Sequence, residues 1–391
     1  MMLRGADIVC FANDWNTDPT SKHHLLKRFS EHNRVLWIEA AGMRRPDLTS
    51  ASDLGRIVKK ARSFMRPARQ VLDNLYVYSP PALPLPGSSV ARAINARLYR
   101  WSIGRELRRL GMSKTPMLWV YGPHVAPLIR DFPRDTLLYH CVDKWSAFQG
   151  YDPVFMEACE AEICTSADLV LASASDLAER CARYSDNVHY VPHGVDHAHF
   201  RRALDPGALP DDLAPIPVPR VGFFGLIHEW VDVELIGRLA DTLPYHFVLI
   251  GASNQDMTAL LRRPNVHHLG RKPFATLPDY SRGFAAAIVP FRSTELTKSV
   301  NPIKLREYAA AGLPVVSTGL PEVVKCGDIV RIADDFASWE RELTSAVVDG
   351  ADPRWRTNQS ARVLGEDWSA VCERISALIA GLPLSSTRAF Q

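Results

Sequence analysis

Short apolar runs separated by polar loops recur along the first half of the chain. Asp7–Ala12 (DIVCFA), Arg34–Glu39 (RVLWIE), Met117–Tyr121 (MLWVY), Thr136–Tyr139 (TLLY), Asp168–Ala172 (DLVLA) and His189–Val191 (HYV) are continuous rather than alternating in hydrophobicity. Runs of that kind predict strands buried on both faces, as in a parallel sheet covered by helices. Helical patterns over Ser21–His32 and Ser175–Tyr184 fall between them, so the N-terminal part reads as βαβ units. Residues 203–219 (ALDPGALPDDLAPIPVP) hold five prolines and no apolar period, which predicts a linker. A second series follows: a strand from Arg220 (RVGFFG), a helix over Val233–Thr242, and strands over Tyr245–Ile250, Val266–Leu269 and Ala285–Val289. Glu366–Ala380 is a final amphipathic helix. The predicted class is α/β, with doubly wound domains at 1–202 and 220–365, a Pro-rich linker at 203–219, and a helix and tail at 366–391.

Polar loops close several strands, and in open α/β sheets ligands bind at the carboxyl ends of strands. Asn13–Thr20, Gly122-Pro123-His124 and His140–Trp145 are therefore candidate site loops, with Asn13, Asp14 and His124 their candidate contacts. The first loop carries no G-x-G-x-x-G, so it is not a dinucleotide fingerprint. Turn and cap chemistry accounts for Asp14 and Asp18 equally well.

Thr297–Thr318 (TKSVNPIKLREYAAAGLPVVST) reads as loop, short helix and buried strand. Asn301 suits a helix N-cap and Pro302 the first helical position. Gly312 suits the C′ position, and Val315-Val316 open a β run. Lys304 sits in the first turn, where the helix dipole disfavours a cation. With Lys298 it makes a positive helix start suited to phosphate, although a capped helix with solvated lysines fits the same residues.

Composition narrows the picture. The 391 residues are long enough for two full cores, and 47% hydrophobic with 23% charged residues is ordinary for a globular protein. Net charge is only +3, but residues 1–110 hold 19 Lys/Arg against 9 Asp/Glu, a net of +10. Arg56–Arg66 (RIVKKARSFMR) is a basic amphipathic pattern, and 92–109 holds six further arginines interleaved with Tyr99 and Trp101. Such segments suit an anionic membrane surface, or simply a solvated basic face. No nucleic-acid module accompanies the charge. Seven scattered cysteines without C-x-x-C spacing argue against zinc or disulfide frameworks and for reduced thiols in the cytoplasm. No apolar run approaches a membrane span, so the expectation is a cytoplasmic protein peripheral to the inner face of the membrane.

At this point several segments together acquire a family likeness. Pro192-His193-Gly194-Val195-Asp196 with Phe200 resembles the PNGVD…F element of GT-B glycosyltransferases of the family 4 type. VGFFGLIHE, Asn265–Arg271, Pro278–Pro290 and NPIKLREYAAAGLPVVST resemble the elements of their donor domain. The resemblance covers most of 165–385 and is similar to a bacterial exopolysaccharide and teichuronic-type branch, which also carries a YHCVDKWSAF-like segment.

The resemblance implies two Rossmann-like domains facing across a cleft, with the C-terminal helix packing toward the N-terminal domain. It implies a nucleotide-sugar donor on the C-terminal domain and a glycan or lipid-linked acceptor on the N-terminal one. Gly225, Arg271, Lys298, Ser299, Asn301, Lys304 and Glu307 would contact the donor, with Arg271 and Lys304 neutralising pyrophosphate. Glu307 matches the second acid of the family's E-x7-E motif; Ser299 stands at the first. His140 falls where many members carry a catalytic-site histidine, and Asp143 is the alternative base. No D-x-D occurs, so the resemblance implies metal-independent transfer without a cofactor and with retention of configuration. Two rivals share the fold: a nucleotide-sugar epimerase-like enzyme, and a nucleotide-sugar-binding scaffold in an assembly complex.

Overall fold

The structure is a computed structural model and describes residues 2–39, 66–83 and 88–383. Arg56–Met65 of the basic amphipathic pattern lie outside the described residues. The chain forms two compact units, residues 1–192 with 372–391 and residues 193–371. No helix among the described residues is long and apolar enough to cross a membrane.

The first unit is built on a sheet of β1 (Asp7–Ala12), β2 (Arg34–Glu39), β3 (Arg69–Leu72), β4 (Leu75–Tyr78), β5 (Met117–Val120), β6 (Thr136–Cys141), β7 (Leu169–Ala172) and β8 (Val188–Tyr190). Their spatial order is β3-β4-β2-β1-β5-β6-β7-β8. All neighbours pair in parallel except β3 with β4. The apolar runs became the central strands because every residue of β5, β6 and β7 is buried, which needs side chains apolar on both faces. The β3–β4 hairpin escaped the apolar-run reading because Arg69–Leu72 is a largely exposed edge strand. Strand β6 extends two residues past the expected Tyr139, so His140 and Cys141 belong to the strand and not to the loop.

The second unit carries a six-stranded parallel sheet, β11-β10-β9-β12-β13-β14. Its strands are β9 (Arg220–Phe224), β10 (His246–Ile250), β11 (Val266–His268), β12 (Ala286–Val289), β13 (Val315–Ser317) and β14 (Arg331–Ile332). Asp232 caps the helix Val233–Thr242 by accepting the Leu235 N–H at 3.0 Å.

The Pro-rich stretch is corrected by the structure. Residues 203–219 fall inside the second unit, whose boundary lies at Pro192/His193. Leu213 and Ile216 bury into that unit's core, Tyr280 Oη donates to Asp212 at 2.9 Å, and Lys272 pairs with Asp212 at 2.6 Å. Two buried apolar side chains and an ion pair fix a segment that its proline content alone marks as free. At the other end, the helix Trp368–Ala380 starts in the second unit and counts with the first from Cys372 onward. There Ser376 Oγ accepts the Leu3 N–H and Arg374 donates to the Tyr190 carbonyl.

Candidate functional site

Two groups of side chains gather at carboxyl ends of strands, one in each unit. In the second unit, β9 ends at Phe224 and the chain turns at Gly225 with φ +139°, a conformation open to glycine. The side chain of Lys304 lies directly over that glycine: a Cβ on residue 225 would stand 2.0 Å from Lys304 Cε and 2.8 Å from Nζ. The helix Ile303–Ala310 that carries Lys304 is tied to β9 by Tyr308, whose hydroxyl accepts the Phe224 N–H at 2.7 Å. The Tyr308 ring also meets Phe224 edge-on, 4.4 Å between centroids. One turn along, Glu307 is 7% exposed. Burial pushes its carboxyl up to about 7; Lys304 opposes that rise and Asp196 adds to it. A lysine, a carboxyl poised near neutrality and a glycine that admits backbone contact thus converge at one sheet end.

Asn301 is not the cap of this helix. Pro302 takes the N-cap position, and Asn301 Oδ1 accepts from Arg306 Nη1 at 2.9 Å. Arg306 is buried, and its guanidinium, bonded also to Glu366, takes Asn301 as a further acceptor. Ser299 is fully buried in the short turn Thr297–Ser299. Lys298 is half exposed and pairs with Glu295 at 2.9 Å, while Arg271 lies exposed after β11. Gly312 does take the C′ role, with φ +73°.

In the first unit the group centres on Lys22, which the motif reading missed. It lies in the first turn of the helix Ser21–Ser30 and is 8% exposed. Its ammonium donates to Asn13 Oδ1 at 3.2 Å and sits 5.4 Å from the Tyr121 ring centre and 5.6 Å from that of Trp145. Burial lowers its pKa, while Asp143 and Cys10 resist that fall. A cation at a helix N-terminus was the available signal, the same one that marked Lys304. Asp143 is driven up to about 6 by burial, held back by Lys22. His140 is 1% exposed and stacks on Tyr121 at 5.0 Å, with neither ring nitrogen hydrogen-bonded among the described residues. Burial, then Lys22, brings it down to about 3, and brings His124 to about 4. Both imidazoles are therefore neutral across the physiological range. The His124 Nδ1 and Trp145 Nε1 atoms are also buried without a hydrogen-bond partner among the described residues. Orphaned polar atoms at one sheet end are what a polar ligand or water would satisfy.

Asp14 does turn chemistry. Its Oδ1 accepts the Asn16 N–H at 2.8 Å, which shapes the loop that presents Asn13 to Lys22. Cys141, Glu160 and Cys181 lie close enough to suggest metal ligands. The Glu160 carboxylate is already engaged by Tyr139 Oη at 3.1 Å, Cys141 Sγ at 3.6 Å and Arg180 at 2.9 Å, which makes the cluster a buried structural network.

Comparison with known proteins finds relatives of both sequence and fold. Residues 219–348 match the family model for glycosyl transferases group 1. Over 228 residues, 53% of this chain and 56% of the relative, the sequence is 28% identical to TuaH of Bacillus subtilis strain 168, provisionally assigned as a teichuronic acid biosynthesis glycosyltransferase. The match thus spans about half the length of that curated relative. Among solved structures, sucrose-phosphate synthase from Thermosynechococcus elongatus superposes with TM-score 0.69 at 14% identity, covering 96% of this chain and 99% of that one. HepE of Anabaena in complex with UDP-glucose gives TM-score 0.64 at 12% identity, covering 96% and 100%. The chain has the GT-B fold of these structures, and its residues 219–348 are similar to the glycosyl transferases group 1.

Proposed function

We propose that the protein transfers a sugar from a nucleoside-diphosphate sugar to a polysaccharide or lipid-linked oligosaccharide acceptor. The observation that carries this reading is Lys304 lying across Gly225 within the segment that matches the group 1 family. There a diphosphate meets the ammonium of Lys304 and backbone uncovered by a glycine. Arg271 adds charge from the loop after β11, and Glu307 accepts from the ribose hydroxyls once ionised. Stabilising the departing diphosphate is where transfer without a metal concentrates its electrostatics. We assign that work to Lys304 and Arg271, with no resident cofactor. HepE and the trehalose phosphate enzyme of E. coli, similar in fold, were solved with UDP-glucose and with UDP-2-fluoroglucose respectively, which supports a nucleotide-sugar donor here.

The acceptor is assigned to the first unit, where Asn13, His124, His140, Asp143 and Trp145 supply donors, acceptors and an aromatic face. His140 and His124, being neutral, orient hydroxyls rather than carry charge. The family likeness favours retention of configuration. A second reading, inversion with Asp143 as general base, is favoured by its pKa of about 6, close to the value a base needs at neutral pH. Thermal-shift screening against a nucleotide-sugar panel tests the donor assignment, since a bound donor raises the melting temperature. A shift for one base and sugar supports it, and no shift across the panel contradicts it. The anomeric configuration of the first product, read by NMR, separates the two stereochemical readings.

A further inference from the structure

The helix Ser89–Arg109 presents two unlike faces. Ala91, Tyr99, Ser102, Ile103, Glu106 and Leu107 are buried in the first unit. On the opposite side, at helical spacing, stand Val90 (67% exposed), Ile94 (38%), Arg97, Trp101 (58%) and Arg108. Arg100 is exposed on the flank of the same face. The helix carries one carboxylate, Glu106, which is buried and already held by Arg105 and Arg109. Arg97, Arg100 and Arg108 have no ion-pair partner among the described residues. The outward face is thus cationic with no acid on it, and aliphatic and indole side chains are set among the guanidinium groups. Arg105 covers the Trp101 ring at 5.4 Å.

We infer that this face is a docking surface for an anionic lipid bilayer. Charge complementarity selects an anionic partner. The interleaved Val90, Ile94 and Trp101 select a bilayer over a nucleic acid, because phosphates would satisfy the arginines and leave the apolar side chains in water. Tryptophan and arginine side by side match the boundary between headgroups and acyl chains. At 21 residues the helix is about 31 Å long, so it offers an extended line of contact when lying in the interfacial plane. The inference stands independently of the glycosyl-transfer reading, since none of these side chains belongs to either strand-end group.

The test is flotation of the full chain with phosphatidylglycerol-containing vesicles and with pure phosphatidylcholine vesicles, at low and high salt. Binding to the anionic vesicles alone, weakening as salt rises, is expected. The variant Arg97→Glu/Arg100→Glu/Arg108→Glu should lose at least about a hundredfold, roughly fivefold per removed charge. Ile94→Ser/Trp101→Ser should weaken binding even at low salt. Both variants change exposed side chains, so their melting temperatures should match the parent, which separates lost docking from lost folding. Three results would overturn the inference: flotation unchanged in both variants, flotation lost only when the five basic residues of Arg56–Arg66 are replaced, or duplex DNA bound in preference to the anionic vesicles.

Discussion

Lys304 and Gly225 occupy one another's space: the lysine's Cε fills the position where any other residue at 225 would place its Cβ, at 2.0 Å. The lysine comes from a helix start and the glycine from a strand end 79 positions earlier, and Tyr308 bonded to Phe224 keeps them in register. Gly225→Ala should therefore act twice. The φ of +139° costs an L residue about 1–3 kcal/mol of stability. The methyl also pushes Lys304 off the sheet end, so donor affinity should fall alongside stability. Denaturant unfolding and calorimetric titration of nucleoside diphosphate measure the two losses separately.

Glu307 should show opposed effects on stability and binding. Its carboxyl titrates near 7 in the folded protein against about 4.5 when unfolded. A raised carboxyl pKa means the folded state holds its proton longer than the unfolded one. Stability is then lost as pH rises from about 4.5 to about 7 and stays lower above that. Glu307→Gln removes this burden, so the unliganded variant should be more stable than the parent at pH 8, by up to about 3 kcal/mol, and equal to it near pH 4. The same variant should bind donor more weakly, by roughly tenfold or more, because the charged acceptor for ribose is gone. Thermal melts across pH with and without nucleotide read both.

With donor saturating, so that bound nucleotide holds Glu307 ionised, the acid limb of the pH–rate profile should belong to Asp143 under the reading that makes it the general base. It is held at about 6, whereas His140 and His124 lie at about 3 and 4 and do not titrate near neutral pH. Activity should rise with pH through about 6, and the limb should vanish in Asp143→Asn and survive in His140→Ala at reduced rate. Lys22→Met keeps the buried stem and removes the charge, so the limb should move to higher pH. An unmoved limb in Lys22→Met would disconnect Lys22 from Asp143.

How legible these features were in the sequence followed how local their causes are. The continuous apolar runs over Asp7–Ala12 and Arg34–Glu39 gave strands with those same limits, because burial on both faces leaves no room for polar residues. Gly312 was legible because a helix C′ position needs its positive φ. Asn301 was misread as a cap because its partner is Arg306, whose burial comes from packing that no short motif records. The Pro-rich stretch was misread because Leu213 and Ile216 are spaced without a period and reveal their burial only once the second sheet exists. Lys22 carried a readable sign, a cation at a helix start, yet its importance lies in the rings of Tyr121 and Trp145 that long-range folding brings to it. His140 stood out by its place at a strand end and gained a catalytic role only through family likeness, and the structure adds that both its nitrogens are buried without hydrogen bonds among the described residues.

Binding of the donor diphosphate at Lys304, over Gly225, is what the proposed transfer requires. It is tested most directly by titrating the parent and Lys304→Met, by calorimetry, with whichever nucleoside diphosphate most raises the parent's melting temperature. Methionine preserves the packing over Gly225 and deletes only the charge. Affinity should fall about ten- to a hundredfold with little change in the unliganded melting temperature. Equal affinity in the two proteins would contradict it.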